Sequence, residues 1–105
     1  MDQIKVLDGR SFRVEVNWNA IVAFLEASNR DDIRALADLS MLRPSDLAGL
    51  LAAGINEGSR LDGSEERVTA EQIGTLADVG VMAEFITIFT RQTKPKGEPD
   101  AGKKE

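Results

Sequence analysis

The chain has 105 residues, a formal net charge of −5, and neither cysteine nor histidine. The length fits one small domain, since single domains commonly run about 100–200 residues. Without cysteine the chain forms no disulfide and no thiolate metal site, and without histidine it lacks the commonest metal ligand and the usual general base. The composition therefore argues against an enzyme, and we expect no catalytic residue and no cofactor.

Charge and hydropathy limit the partners and the location. The 13 lysine and arginine residues are spread along the chain, whereas binding to nucleic acid needs concentrated positive charge. The first residues, MDQIKVLDGR, lack the uninterrupted apolar core of a signal peptide. No apolar run approaches the roughly 18 residues needed to span a membrane. We therefore expect a soluble, cytoplasmic protein that binds neither nucleic acid nor membrane.

Residues 3–16, QIKVLDGRSFRVEV, predict a β-hairpin around Asp8-Gly9, because this dipeptide tolerates positive φ in tight turns. A two-residue loop would mix apolar and polar residues on both faces, whereas a loop one residue longer collects the apolar residues on one face. A lone two-stranded ribbon is marginal in water, so that face must rest on helices or on another chain. We expect the register of the longer loop, which pairs Val6 with Phe12 and Ile4 with Val14.

Trp18, the chain's only tryptophan, begins a predicted helix. Asn17 is a good N-cap, and apolar residues then follow at the i, i+3, i+4, i+7 spacing of one helix face. We interpret Trp18 as a core residue that anchors this helix on the hairpin, with a partner-binding role as the alternative. Phe24 lies at the rim of the stripe and is the better candidate for an exposed contact. The stripe consists of Trp18, Ile21, Val22 and Leu25.

Two further helices are indicated before residue 59. Asp31-Asp32 marks the start of the first, and Pro44 favours the first turn of the second. Gly58 is expected to end the second helix. Gly54 lies within its apolar stripe at a cost of about 1 kcal/mol relative to alanine, which predicts the close approach of another helix, from this domain or from a partner.

The polar segment 59–68 predicts an exposed loop. Thr69 with Gln72 forms a capping-box pattern that opens the next helix, and Gly80 either ends or bends it. Beyond Gly80, FITIFT is β-branched and aromatic enough for a strand, but helical spacing covers more residues and favours a helix with Met82, Phe85, Ile86 and Phe89 on one side. The candidate partner contacts are Val81 and Ile88 at the rim of this helix, together with Phe24 and Trp18.

The predicted fold is mainly α, with four or five short helices preceded by an N-terminal β-hairpin. Residues 1–93 form a single domain, while residues 94–105 hold no apolar residue besides one alanine and are expected to be a disordered tail. A chain of this size has a thin core, so a weak homo-oligomer is a further expectation.

The acidic residues show no metal-site pattern. Asp31-Asp32 lies at a predicted helix start, where carboxylates cap backbone N–H groups. An EF-hand loop needs oxygen ligands at alternating positions, and NEGSRLDGSEER has glycine at its third position and arginine at its fifth. We therefore expect no bound metal.

Three phrases, SFRVEVNWNAIVAFLEASNRDDI, LAGLLAAGINEGSRLDG and EFITIFTRQ, resemble the small tail assembly chaperones of tailed bacteriophages and gene transfer agents. The resemblance spans roughly residues 2–93, in the same order. It implies a mostly helical, non-enzymatic factor that is absent from the finished particle. Its implied partners in the host cytoplasm are the tape-measure protein, which it keeps soluble, and the tail-tube protein, whose subunits it recruits.

Two other classes of protein fit the same composition. A structural subunit of the tail or of the head–tail connector has a similar size and remains in the virion. An acidic regulator or DNA mimic is a third class, and it would bind a nucleic-acid-binding protein instead of tail proteins.

Overall fold

A computed structural model describes residues 2–29, 33–37, 39 and 42–93. Within them, an antiparallel two-stranded hairpin precedes four α-helices, which confirms the predicted mainly helical class. The predicted cap at Asp31-Asp32 and the tail at 94–105 lie outside the described residues. The elements are β1 (Gln3–Lys5), β2 (Ser11–Arg13), α1 (Trp18–Ala27), a 3-10 helix (Ile33–Ala37), α2 (Pro44–Leu61), α3 (Ala70–Leu76) and α4 (Val79–Gln92).

The hairpin has a different register from the predicted one. Ile4 lies opposite Phe12, and the Val6 amide donates to the Arg10 carbonyl at 2.9 Å. The loop therefore spans three residues and ends in Gly9, whose φ of +95° is the left-handed conformation such loops require. Because the register shifts by two residues, the side chains keep their faces. The shared apolar face is confirmed by the burial of Ile4, Val6, Phe12 and Val14.

Helix α1 begins where predicted but turns a different face inward. The Asn17 side chain accepts from the Ala20 amide at 3.0 Å, which confirms the N-cap. Ala20 and Phe24 are buried, whereas Trp18 is 64% exposed. The interpretation of Trp18 as a core residue is therefore wrong, and so is the prediction that Phe24 is exposed.

Contacts with α2 set the rotation of α1. The side-chain amide of Asn17 donates to Glu57 at 2.7 Å and holds the start of the helix. Phe24 lies two turns along the same side, and its ring packs over Gly49: a Cβ atom built on Gly49 would lie 3.6 Å from the ring. The stripe containing Trp18 is about 100° further round the helix, so Trp18 faces outward.

Helix α2 is longer than its sequence pattern suggests. Pro44 occupies the first turn as predicted, but the helix continues through Gly58 to Leu61. Gly63, with φ of +76°, takes the left-handed conformation that follows the helix end. The prediction that Gly58 ends the helix is therefore wrong. Gly58 lies inside α2 and has a role in packing.

The end of β2 and the residues that follow it cross α2 at Gly58 and Gly54. The Glu15 amide donates to the Gly54 carbonyl at 3.0 Å. A Cβ atom built on Gly58 would lie only 2.5 Å from the Arg13 carbonyl oxygen. The close approach predicted at Gly54 is therefore present, but an extended segment makes it, not a helix.

Two capping residues define the last two helices. The Thr69 hydroxyl accepts from the Gln72 amide at 3.1 Å, and the Gln72 side chain accepts from the Thr69 amide at 2.9 Å, which confirms the capping box. Asp78 caps α4 by accepting from the Val81 amide at 2.9 Å. Gly80 therefore lies in the first turn of α4 and neither ends nor bends a helix.

Helix α4 includes FITIFT, as predicted, but its inner face differs from the expected one. Its buried residues are Val81, Phe85, Ile88 and Phe89. Val81 and Ile88 are therefore core residues, and the prediction that they lie at an exposed rim is wrong. Ile86, expected inside, is 37% exposed.

Gln92 fixes the rotation of α4 from its last turn. Its side-chain amide donates to the Val14 carbonyl and to the Asp2 carboxylate, both at 2.8 Å, and its side-chain oxygen accepts from the Val16 amide at 2.7 Å. Gln92 thus supplies the hydrogen bonds that a neighbouring strand would otherwise give this segment. Phe85 lies two turns before Gln92 on the same side, so it faces inward.

Candidate protein-binding surface

The outer side of α4 carries a second apolar stripe, one that the domain leaves accessible. Val79 is 86% exposed and Ile86 is 37% exposed, and the residues between them recur at helical spacing. Two threonines continue the stripe towards the end of the helix. We define the α4 outer face as Val79, Met82, Ala83, Ile86, Thr87 and Thr90, of which Met82 is half-buried and packs against the core.

A groove of about 480 Å³ runs along one side of the α4 outer face. The start of α2 and helix α3 form its opposite wall, and Asp78 is the only ionisable residue among the described residues that line it. We call it the α3–α4 groove. Its wall opposite α4 consists of Pro44, Leu47, Ala48, Ile73, Gly74 and Ala77.

Gly74 lines this groove. It lies inside α3, where glycine costs about 1 kcal/mol relative to alanine. No described atom lies within 4 Å of a Cβ atom built on Gly74. The described packing of the chain therefore does not need a glycine here, in contrast to Gly58, whose Cβ atom would collide with backbone.

A second depression, of about 640 Å³, lies on the other side of Ile86. Its described lining comes from α1, the 3-10 helix, Leu39, the last turns of α4 and Thr93. Because Ile86 lines both depressions, it forms the ridge between them. The result is an apolar surface with Ile86 at its centre.

The two ends of the α4 outer face carry opposite charges. Asp78 lines the groove at the start of the helix. Arg91 lies beside Ile86 and Thr90 near its end, forms an ion pair with Asp2, and has a side chain that is 58% exposed.

A buried polar cluster around Glu57 holds the start of α1 against α2. Glu57 is 6% exposed, and it accepts from Arg60 at 2.8 and 2.7 Å and from Asn17 at 2.7 Å. The hydrogen bonds from Arg60 lower the pKa of Glu57 from 4.5 to about 2, although burial acts to raise it. A carboxylate with so low a pKa is a poor general base near neutral pH, so its role here is to anchor α1 on α2.

The structure does not bring the four predicted contact residues together. Phe24, Val81 and Ile88 are buried, and Trp18 is exposed on α1. None of the four is found among the described residues that line the α3–α4 groove.

The residues that sequence reasoning missed are on the outer side of α4. The helical pattern was matched to a single stripe, whereas α4 has two. Assigning Phe85 and Phe89 to the core leaves Val79 and Ile86, seven residues apart, on a second face of the helix beside the core face. Gly74, where an added Cβ atom would meet no described atom within 4 Å, borders the same surface.

Comparison with known protein families, curated proteins and solved structures finds no match for this chain. Over the ranges that the structure describes, acidic side chains form no group of three or more that could hold a metal ion. The helices of those same ranges include none with the length and hydropathy needed to cross a membrane.

Proposed function

We propose that this protein is a tail assembly chaperone of the type used by tailed bacteriophages and gene transfer agents. The observation that carries the proposal is the α4 outer face, an apolar helix face left accessible on a small domain with a net charge of −5. The resemblance of the sequence to this family supplies the class of partner, and the α4 outer face supplies a means of binding it.

The mechanism is masking of an apolar helix face. From Val79 to Thr90 the α4 outer face covers about three helical turns, or ~16 Å. An amphipathic helix of the tape-measure protein lays its apolar side along the α3–α4 groove, which is a recurrent mode of peptide recognition. Gly74 lets the backbone of that helix come close to α3. The negative charge of the chaperone keeps the complex soluble.

Release is as important as binding for this role. A contact of three helical turns is smaller than the large apolar interfaces of permanent complexes. The tape-measure protein is therefore held until tail-tube subunits, recruited to the same complex, polymerise around it and displace the chaperone.

Co-expression with the tape-measure protein of the same genome tests the binding surface. Ile86→Glu places a charge on the ridge of the α4 outer face. Val22→Glu is the matched control, since Val22 has the same 37% exposure on α1. We expect the wild-type chain and V22E to keep the tape-measure protein soluble and I86E to fail, with both variants melting near the wild-type temperature. Equal solubilisation by the two variants would contradict the assignment of this surface.

Mass spectrometry of purified particles separates a chaperone from a virion subunit. We expect the chain to be present in assembling lysates and absent from finished tails. A stoichiometric copy number in the particle would instead identify a structural tail or head–tail connector subunit.

A further inference from the structure

Helix α4 presents the same side to the α3–α4 groove and to the second depression. A shift of seven residues along the chain converts the residues that line the first cavity into those that line the second. Seven residues make about two turns, so the two cavities lie on one side of α4, roughly 10 Å apart along its axis. Besides Asp78, the groove is lined on this helix by Val79, Met82, Ala83 and Ile86, and the second depression by Ile86, Phe89, Thr90 and the C-cap residue Thr93.

We infer that one amphipathic helix of the partner occupies both cavities, with large apolar side chains at two positions seven residues apart, i and i+7. Helices that pack side by side repeat their contacts about every seven residues, which matches the spacing of the two cavities. Ile86 lies between the cavities and lines both, so the partner residues that pass over it, i+3 and i+4, must be small. This inference rests on the function proposed above and specifies which helices of the tape-measure protein are bound.

The walls of both cavities suit apolar side chains. In the second depression none of the described lining residues is ionisable, and in the α3–α4 groove Asp78 is the only one that is. Aliphatic and aromatic side chains leave water when they enter such sites, which favours binding. Both anchors of the partner helix are therefore large apolar residues such as leucine, methionine or phenylalanine.

Asp78 gives the bound helix a direction. Its Oδ1 accepts from the Val81 amide at 2.9 Å, whereas none of the described residues donates a hydrogen bond to its Oδ2. Asp78 lies about one turn before the middle of the groove, so a basic residue one turn beyond the second anchor, at i+11, can pair with it. The partner helix then runs antiparallel to α4. Its C-terminal turn, where lysine and arginine are favoured by the helix dipole, lies beside Asp78.

Binding of synthetic peptides to the full chain tests the spacing. The probe is an alanine-based helical peptide of about five turns, with leucine at i and i+7, alanine at i+3 and i+4, and lysine at i+11. The matched control exchanges the residues at i+5 and i+7, which moves one leucine to another side of the peptide. In fluorescence anisotropy we expect the control to bind at least about tenfold more weakly. Equal binding of the two peptides, or no binding of the first, would overturn the inference, while solubilisation of the tape-measure protein in co-expression would still support the proposed function.

An exchange of sizes at Ile86 tests whether the helix passes over it. Leucine at i+4 of the peptide should weaken binding to the wild-type chain about tenfold, because two large side chains then collide. Ile86→Ala should restore binding of that peptide. Val22→Ala is the matched control, since Val22 has the same 37% exposure on α1, and it should restore nothing. Failure of I86A to restore binding would overturn the placement of the helix across both cavities.

Removal of one charge tests the direction. Asp78→Asn retains a capping oxygen for α4 but cannot form the ion pair. We expect it to weaken binding of the lysine peptide about threefold, the size of an exposed ion pair, and to leave binding of a peptide with glutamine at i+11 unchanged. Equal effects of D78N on the two peptides would overturn the ionic contact and the antiparallel direction with it.

Discussion

The two faces of α4 are both apolar, yet they have different surroundings. The inner face carries Phe85 and Phe89, whose rings meet edge to face with centroids 6.3 Å apart, and Gln92 ties its last turn to the hairpin side of the domain. The outer face carries Val79 and Ile86, which remain accessible. Hydrophobicity alone does not decide which of these two faces is buried. Anchoring contacts decide which one is buried, and the face left over is available to another molecule.

The largest expected difference lies between neighbouring residues of α4. Phe85→Ala should lower the free energy of unfolding by about 3–5 kcal/mol, because it leaves a cavity in the core. Ile86→Ala, at a partly exposed site, should lower it by less than about 1 kcal/mol. Urea denaturation at low micromolar concentration, where a weak homo-oligomer dissociates, measures both values. Similar losses for the two variants would mean that α4 has no open face.

Two helical glycines sharpen the same contrast. Gly58→Ala forces a Cβ atom against the Arg13 carbonyl oxygen, and we expect a loss of about 2 kcal/mol from overpacking. Gly74→Ala meets no described atom within 4 Å and should raise stability by up to about 1 kcal/mol through helix propensity. The same substitution should weaken binding of the tape-measure protein, because it narrows the groove. A destabilised G74A variant in thermal denaturation would show that the fold itself needs this glycine.

Local signals predicted much of the fold. The N-cap at Asn17, the capping box at Thr69 and the helix over FITIFT depend on residues close in sequence, and all three are confirmed. The hairpin face was also predictable, since a shift of two residues leaves side-chain alternation unchanged.

The rotation of helices α1 and α4 could not be predicted in the same way. The inner face of α1 begins beside Asn17, and that of α4 ends at Gln92. Each of these two polar residues forms a hydrogen bond with a segment that is distant in sequence. A pattern that scores only apolar residues overlooks such anchors, so it placed Trp18 and Ile86 inside. The α4 outer face was missed for the same reason, because the hydrogen bonds of Gln92 set the rotation that leaves this face exposed.

Acid should lower the stability of the protein by protonating Glu57, which anchors α1 on α2. Its pKa is about 2 in the folded protein against an ordinary value of 4.5, so the unfolded chain binds this proton more readily. The contribution of Glu57 is therefore complete above about pH 4.5 and is lost as the pH falls towards 2. Glu57→Gln should cost about 1–2 kcal/mol at neutral pH and flatten the decline in stability between pH 4.5 and 2. An unchanged acid profile in urea titrations of E57Q would assign that decline to other carboxylates.

The smallest expected effect on stability concerns Trp18, on the exposed side of α1. Trp18→Ala removes a ring that is 64% exposed, while the cap made by its neighbour Asn17 stays intact. We therefore expect a change within about 0.5 kcal/mol, in contrast to Asn17→Ala, which removes the cap and should cost about 1–2 kcal/mol. Thermal denaturation compares the two variants directly.

The same ring reports on whether α1 takes part in self-association of the chain. Trp18 is the only tryptophan, so the fluorescence of the chain comes from one exposed site that acrylamide should quench readily. Association through α4 leaves this site in water, and neither quenching nor the emission maximum should change with protein concentration. A blue shift and protection from acrylamide at high concentration would place Trp18 inside the contact, because burial of an aromatic ring at an interface removes it from water. In that case the open face of α1, and not that of α4, would be the one that associates.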